Sequence, residues 1–163
     1  MVGIYIPYKL EYERSIVIDK PVYNVYHFIA CLTNHQLFSP WYIQQGNTIV
    51  TCNGGDNSSC GFSCSWTNEN GNIGSGSEEI LCIAEIDRVE TIVRLSKPFT
   101  NYNYSTIITE RLTDNQTKVT WRMKSQLPNP FNSLNLIFKY DEKYAAYIEE
   151  SLILLKQNVE SLE

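Results

Sequence analysis

A chain of 163 residues fits one domain, because a domain of this size already buries roughly 70% of its unfolded surface. With 43% hydrophobic and 19% charged residues it has the apolar material for a core and lacks the composition of a disordered chain. Thirteen basic against 18 acidic residues give a net charge of -5, and the basic ones never cluster, which excludes a phosphate backbone as an expected partner.

No apolar run reaches the roughly 18 residues that a bilayer span needs, so stable membrane insertion is not expected. The first residues, "MVGIYIPYKLEYERS", have no basic start, apolar middle and cleavage site, which predicts a cytoplasmic protein. Five cysteines, an odd number, then argue against a disulfide framework and for mostly reduced thiols. On that reading the glycosylation sequons at Asn57, Asn103 and Asn115 are chance matches.

In chain order, residues 10–18 alternate as a strand, with Ile16 and Ile18 on one face. Asp19 stands near the N-cap of a helix with Pro21 in its first turn and Val22, Val25, Phe28, Ile29 and Leu32 at helical spacing. "TNHQLFSPWY" breaks the pattern, and Pro40 implies a second short helical turn ending before Trp41. Strands follow at residues 47–52, 62–68, 77–86, 90–96, 102–112 and 117–126. Asn53-Gly54-Gly55 and Asn70-Gly71 mark tight turns, since Gly and Asn tolerate the positive φ of hairpin loops. The spacing is that of an antiparallel meander of about seven strands, not of alternating strands and helices. The last helix is expected from Asn132 or Ser133 onward. Leu134, Phe138, Asp141, Ala145, Ile148, Leu152, Leu155 and Val159 form its one narrow stripe, and only the sheet is large enough to cover it.

A strand, a helix beginning at a proline, a long antiparallel sheet and a closing helix come in an order that resembles the START-like (SRPBCC) superfamily, of polyketide cyclase/dehydrase and lipid-transport type. The local patterns "CSWTNENGNIGSGSEEI", "VRLSKPF", "TKVTW" and "SLILLKQNVE" carry the resemblance, which runs from about Leu10 to Glu160. Where that family often has Gly in the last helix, this chain has Ala145 and Ser151. The resemblance implies one α+β helix-grip domain over residues 1–163: a curved antiparallel sheet wrapped around a long C-terminal helix, with two short helices after the first strand and a cavity between sheet and last helix. It implies a fold and not one reaction.

On the family's register, Cys64, Trp66, Glu78, Ile80, Cys82, Val93, Leu95, Val119, Trp121 and Met123 point inward, joined by Ile148 and Asp141 from the last helix. A slip of one residue inverts every strand assignment. Each apolar member reads first as core and only second as cavity wall. Glu78 is the informative one, because an inward carboxylate must meet a polar ligand or pair with a basic group, and it is the catalytic candidate. His27 and His35 have no nucleophile or carboxylate at a recognisable spacing. Cys60 and Cys64 lack the second ligand pair of a zinc site, alternation would put them on one strand face, and no phosphate-binding glycine loop occurs, so no metal or cofactor is expected. The expected partner is a small hydrophobic or aromatic molecule, bound and carried, or cyclised or dehydrated, in the cavity. The pattern shows no large exposed apolar patch for a protein-interaction module.

Overall fold

The computed structural model describes residues 9–39, 42, 48–67, 74–96, 100–126 and 140–162. Seven strands form one antiparallel sheet: β1 (Lys9–Ile18), β2 (Ile49–Asn53), β3 (Ser63–Thr67), β4 (Gly76–Ala84), β5 (Arg88–Leu95), β6 (Asn101–Thr113) and β7 (Gln116–Gln126). Their order, β1-β7-β6-β5-β4-β3-β2, is a meander whose first strand crosses over to pair with its last. Helix α1 (Val22–Ala30) and a 3-10 turn (Leu32–Leu37) follow β1, and helix α2 (Tyr140–Glu160) closes the described chain.

Strict alternation positions the sheet. Along β6, odd residues from Asn101 to Thr109 are buried, while Tyr102 and Tyr104 between them are exposed. On β1 the even residues Leu10 and Ile18 are buried, and Glu11 and Glu13 on the other face pair with Lys124 and Arg122 of β7. One face is therefore covered, the other charged and wet.

Helix α2 lies along edge strand β1. Tyr144 stacks on Tyr12 at 5.9 Å between centroids, Glu149 accepts from Arg14 at 2.7 Å, Lys156 donates to the Val17 carbonyl at 2.8 Å, and Glu160 accepts the Asp19 amide at 2.7 Å. Seven strand residues at about 3.3 Å and sixteen helix residues at 1.5 Å span nearly the same length, roughly 23–24 Å, so the two run side by side in the same direction. The helix buries Tyr144, Ile148, Ser151, Leu152, Leu155 and Val159. The stripe is the expected one from Ile148 onward, but Tyr144 and not Ala145 carries its first turn; Ser151 fits the covered face by turning its hydroxyl back onto the Tyr147 carbonyl at 2.7 Å. The expected start near Asn132, with Leu134 and Phe138, lies outside the described residues, as do Pro40, Trp41 and the Asn70-Gly71 turn.

Three expectations are corrected. Asp19 does not cap α1: Pro21 is the N-cap residue, and Asp19 accepts from Gln116 at 2.8 Å instead. Cys52 and Cys64 form a disulfide, because the β2–β3 hairpin puts them directly opposite with Cα atoms 4.0 Å apart, a placement that cysteine parity does not reveal. Cys60 is exposed in the turn before β3, so it does not share a strand face with the buried Cys64. Cys31 and Cys82 are also free thiols.

Candidate functional site

Glu78 is the only carboxylate buried on the sheet's covered face among the described residues, with 3% exposure, and it is fully engaged. Its Oε1 lies 3.0 Å from His35 Nδ1 and accepts the Thr91 hydroxyl at 2.9 Å; its Oε2 accepts the Tyr42 hydroxyl at a long 3.4 Å. The other ring nitrogen of His35, Nε2, is 2.9 Å from the Ile29 carbonyl at the end of α1. A carbonyl only accepts, so Nε2 carries a hydrogen. The Nδ1–Oε1 contact then needs one further proton, either on the imidazole or on the carboxyl. The pair is net neutral in both cases. Burial opposes the imidazolium most strongly of the single influences on His35, but the Glu78 charge, the Glu78 hydrogen bond and the Ile29 carbonyl together outweigh it, and the imidazole is held above its ordinary pKa. Burial first, then the Glu78 charge, pushes the Tyr42 hydroxyl far up, so Tyr42 is a neutral donor.

The rest of the covered face divides along the strands. Toward one end lie Trp121, Val119, Ile107, Val89 and Ile18 in apolar contact, where buried Thr109 and Thr117 donate to the Ile86 and Lys20 carbonyls and the Trp121 indole N–H closes onto Ser105 Oγ at 2.8 Å. Toward the other, polar side chains are buried together: Glu78, Thr91, Asn101, Asn103, Ser105 and Ser125. Trp66 lies across this end, with Tyr42 edge-on at 5.0 Å. A Cβ at position 76 would stand 2.6 Å from Trp66 Cζ2 and 2.7 Å from the Arg94 carbonyl oxygen, so only glycine lets the indole pack this closely against β4.

No protein-family model matches this sequence, and no curated protein sequence is similar to it. Solved structures are similar. Truncated norcoclaurine synthase from Thalictrum flavum superposes with a TM-score of 0.70 over 99% of this chain and 100% of that one, at 8% identity, and another structure of the enzyme holds dopamine and hydroxybenzaldehyde. A structural-genomics protein from Nitrosospira multiformis gives 0.66 over 93% and 97%, at 19% identity. The di-domain ARO/CYC protein BexL of the BE-7585A biosynthetic pathway gives 0.67 over 93% of this chain and 46% of its own, at 20% identity. The chain has the START-like helix-grip fold. At these identities the likeness establishes that fold alone.

Within the helix-grip frame most, but not all, of the sequence-expected residues come together. Trp66, Val93, Leu95, Val119, Trp121, Met123 and Ile148 meet in one apolar cluster between sheet and helices, while Cys64 and Ile80 belong to a smaller one with Leu32 and Phe62. Glu78 borders both, paired with Cys64 on one side and Val93 on the other. Cys82 is not inward: the register slips between Ile80 and Cys82, and the bulge turns its thiol to solvent. Asp141 is in the first turn of α2, and its side chain lies outside the described residues. The sequence reading missed His35, Tyr42 and Thr91 as partners of Glu78, and missed Asn101 and Asn103; for the asparagines the odd-numbered alternation of β6 was the available signal. Among the described residues no three His, Cys, Asp or Glu side chains stand close enough to hold a metal ion.

Proposed function

We propose that this protein binds and carries a small hydrophobic, largely aromatic molecule between the covered face of the sheet and α2. The observation that carries the reading is the make-up of that face: large aromatic side chains beside a group of buried polar ones, on a fold also seen in an enzyme that holds dopamine and hydroxybenzaldehyde. A face built for stability alone has no use for Asn101 and Asn103, whereas ligand sites combine apolar walls with a few convergent polar groups. The test is titration with an apolar fluorescent dye, together with native mass spectrometry of whatever molecule travels with the purified protein. Trp66→Ala and Trp121→Ala should both change dye affinity; folded variants that bind like the parent protein sink the reading.

One observation favours a second reading, a cyclase or dehydratase acting in the same place: the Glu78–His35 pair holds one shared proton, and among the described residues Glu78 Oε2 has only the long Tyr42 contact. Glu78→Gln discriminates. A carrier keeps its ligand within a few-fold, whereas a proton-transferring enzyme loses turnover with the fold intact. The proposal retains a cytoplasmic location, which the redox state of Cys52 and Cys64 tests.

A further inference from the structure

Four buried polar atoms have no hydrogen-bond partner among the described residues: Trp66 Nε1, Asn101 Oδ1, and both Nδ2 and Oδ1 of Asn103. They are not scattered. Asn101 and Asn103 are successive inward positions of β6, and Trp66 leads to Asn101 through the directly paired Gly76 and Leu95 of the intervening strands. The Trp66 ring has its Cζ2 atom, two bonds from Nε1, over Gly76, so the indole reaches from β3 across to β4. Asn103 is wholly buried, at 0% exposure, between Val93, which offers no polar atom, and Ser125, which accepts from Asn101 Nδ2 at 3.2 Å. A primary amide with neither its donor nor its acceptor met is costly to bury, and native proteins leave few such groups.

We infer that the ligand is an uncharged aromatic molecule with a hydrogen-bond donor and acceptor side by side on its rim, as in an amide or lactam, and that Asn103 reads this edge. The inference rests on the proposed binding role and deepens it. Asn103 Nδ2 donates to the ligand carbonyl and its Oδ1 accepts the adjacent N–H, so both atoms are met by one planar partner. Asn101 Oδ1 accepts from any second donor, and Trp66 Nε1, which only donates, takes an oxygen or ring nitrogen on the far side. Charge selects against ionised ligands. Glu78 is the one charged group buried on this face among the described residues, and His35 already neutralises it, so neither a carboxylate nor an ammonium finds a counter-charge beside the asparagines.

The test uses five probes on the full chain. 2-Quinolone presents the lactam edge, 4-methyl-2-quinolone keeps it with added bulk, N-methyl-2-quinolone loses the donor, naphthalene has neither group, and 2-naphthoate adds a charge. The two N–H lactams should bind about tenfold or more tighter than the other three, because a site built around a polar edge rejects analogues that lack it. Asn103→Leu should remove that preference, leave or improve naphthalene binding, and raise the melting temperature of the free protein, since it replaces an unmet amide by an apolar side chain of similar size. Asn103→Ala should also remove the preference, with less effect on packing. Equal affinities for lactam and N-methyl lactam, or preference for 2-naphthoate, would overturn the inference while leaving a binding role intact. An Asn103→Leu protein that melts lower and still prefers the lactam would overturn it too. If none of the five binds, the proposed function fails with it.

Discussion

Glu78 shows how far one residue can be read without coordinates. The family's register places it inward, and electrostatics then demands a basic or polar partner. The identity of the partner does not follow, because His35 is 43 residues away on a turn whose direction depends on where α1 ends. The pair also makes a pH prediction. The His35 pKa is raised in the folded state, so its contribution is fully present below the unfolded value of about 6.5 and is lost as pH rises through the raised folded value. In Glu78→Gln the amide can donate to Nδ1 of a neutral imidazole, and burial then resists protonation. The stability difference between parent and Glu78→Gln, measured by urea unfolding, should therefore grow as pH falls from 9 to 6; a constant difference would mean that the proton is not shared. Glu78→Ala leaves the His35 Nδ1 unmatched and should cost about 3–5 kcal/mol near neutral pH.

At the scale of elements, all seven strands are legible because each pairs with a sequence neighbour except β1, and period-two patterning with Asn and Gly turns leaves little choice of register. What escapes is local irregularity. The bulge that expels Cys82 adds one residue to β4 opposite β5, and no residue type in "EEILCIAE" announces it. Helix α2 was legible as a stripe, but its alignment with β1 is set by pairs such as Arg14 with Glu149, which only the fold brings together. The close contact of β3 with β4 yields a prediction of its own. Gly76→Ala places a methyl group against both the Trp66 ring and the Arg94 carbonyl, so the indole must move and the β4–β5 ladder must give beside Arg94. The expected cost is about 1–3 kcal/mol, read from thermal or urea unfolding, with a shift in tryptophan emission as the indole is displaced. Unchanged stability and emission would mean that Trp66 does not pack against β4 at Gly76.

For the whole molecule, the sequence gives fold, size and the composition of the covered face, while the disulfide is a property of assembled geometry. Cys52 lies on β2, the edge of the sheet opposite the edge that α2 covers, and β2 is held only through β3 among the described strands. Cys64, its partner, is paired across β3–β4 with Glu78. The bond therefore ties the free edge to the strand beside the polar end of the site. It closes a short loop, with the cysteines 12 positions apart, for which chain entropy assigns roughly 3 kcal/mol at most. Reduction should lower the melting temperature by several degrees and should first expose the amides of residues 49–53 to hydrogen exchange, with β6 and β7 still protected. A melting temperature indifferent to reductant would show that the strand ladder alone holds the edge. The same pair tests the location. If the proposed cytoplasmic location holds, the bond seen here forms only on oxidation outside the cell, and protein alkylated at the moment of extraction should show five reactive cysteines on unfolding; three would mean that the bond is present in the cell and the chain resides in an oxidising compartment, and the sequon at Asn115, in the exposed β6–β7 turn, would then be open to modification while Asn103 stays buried.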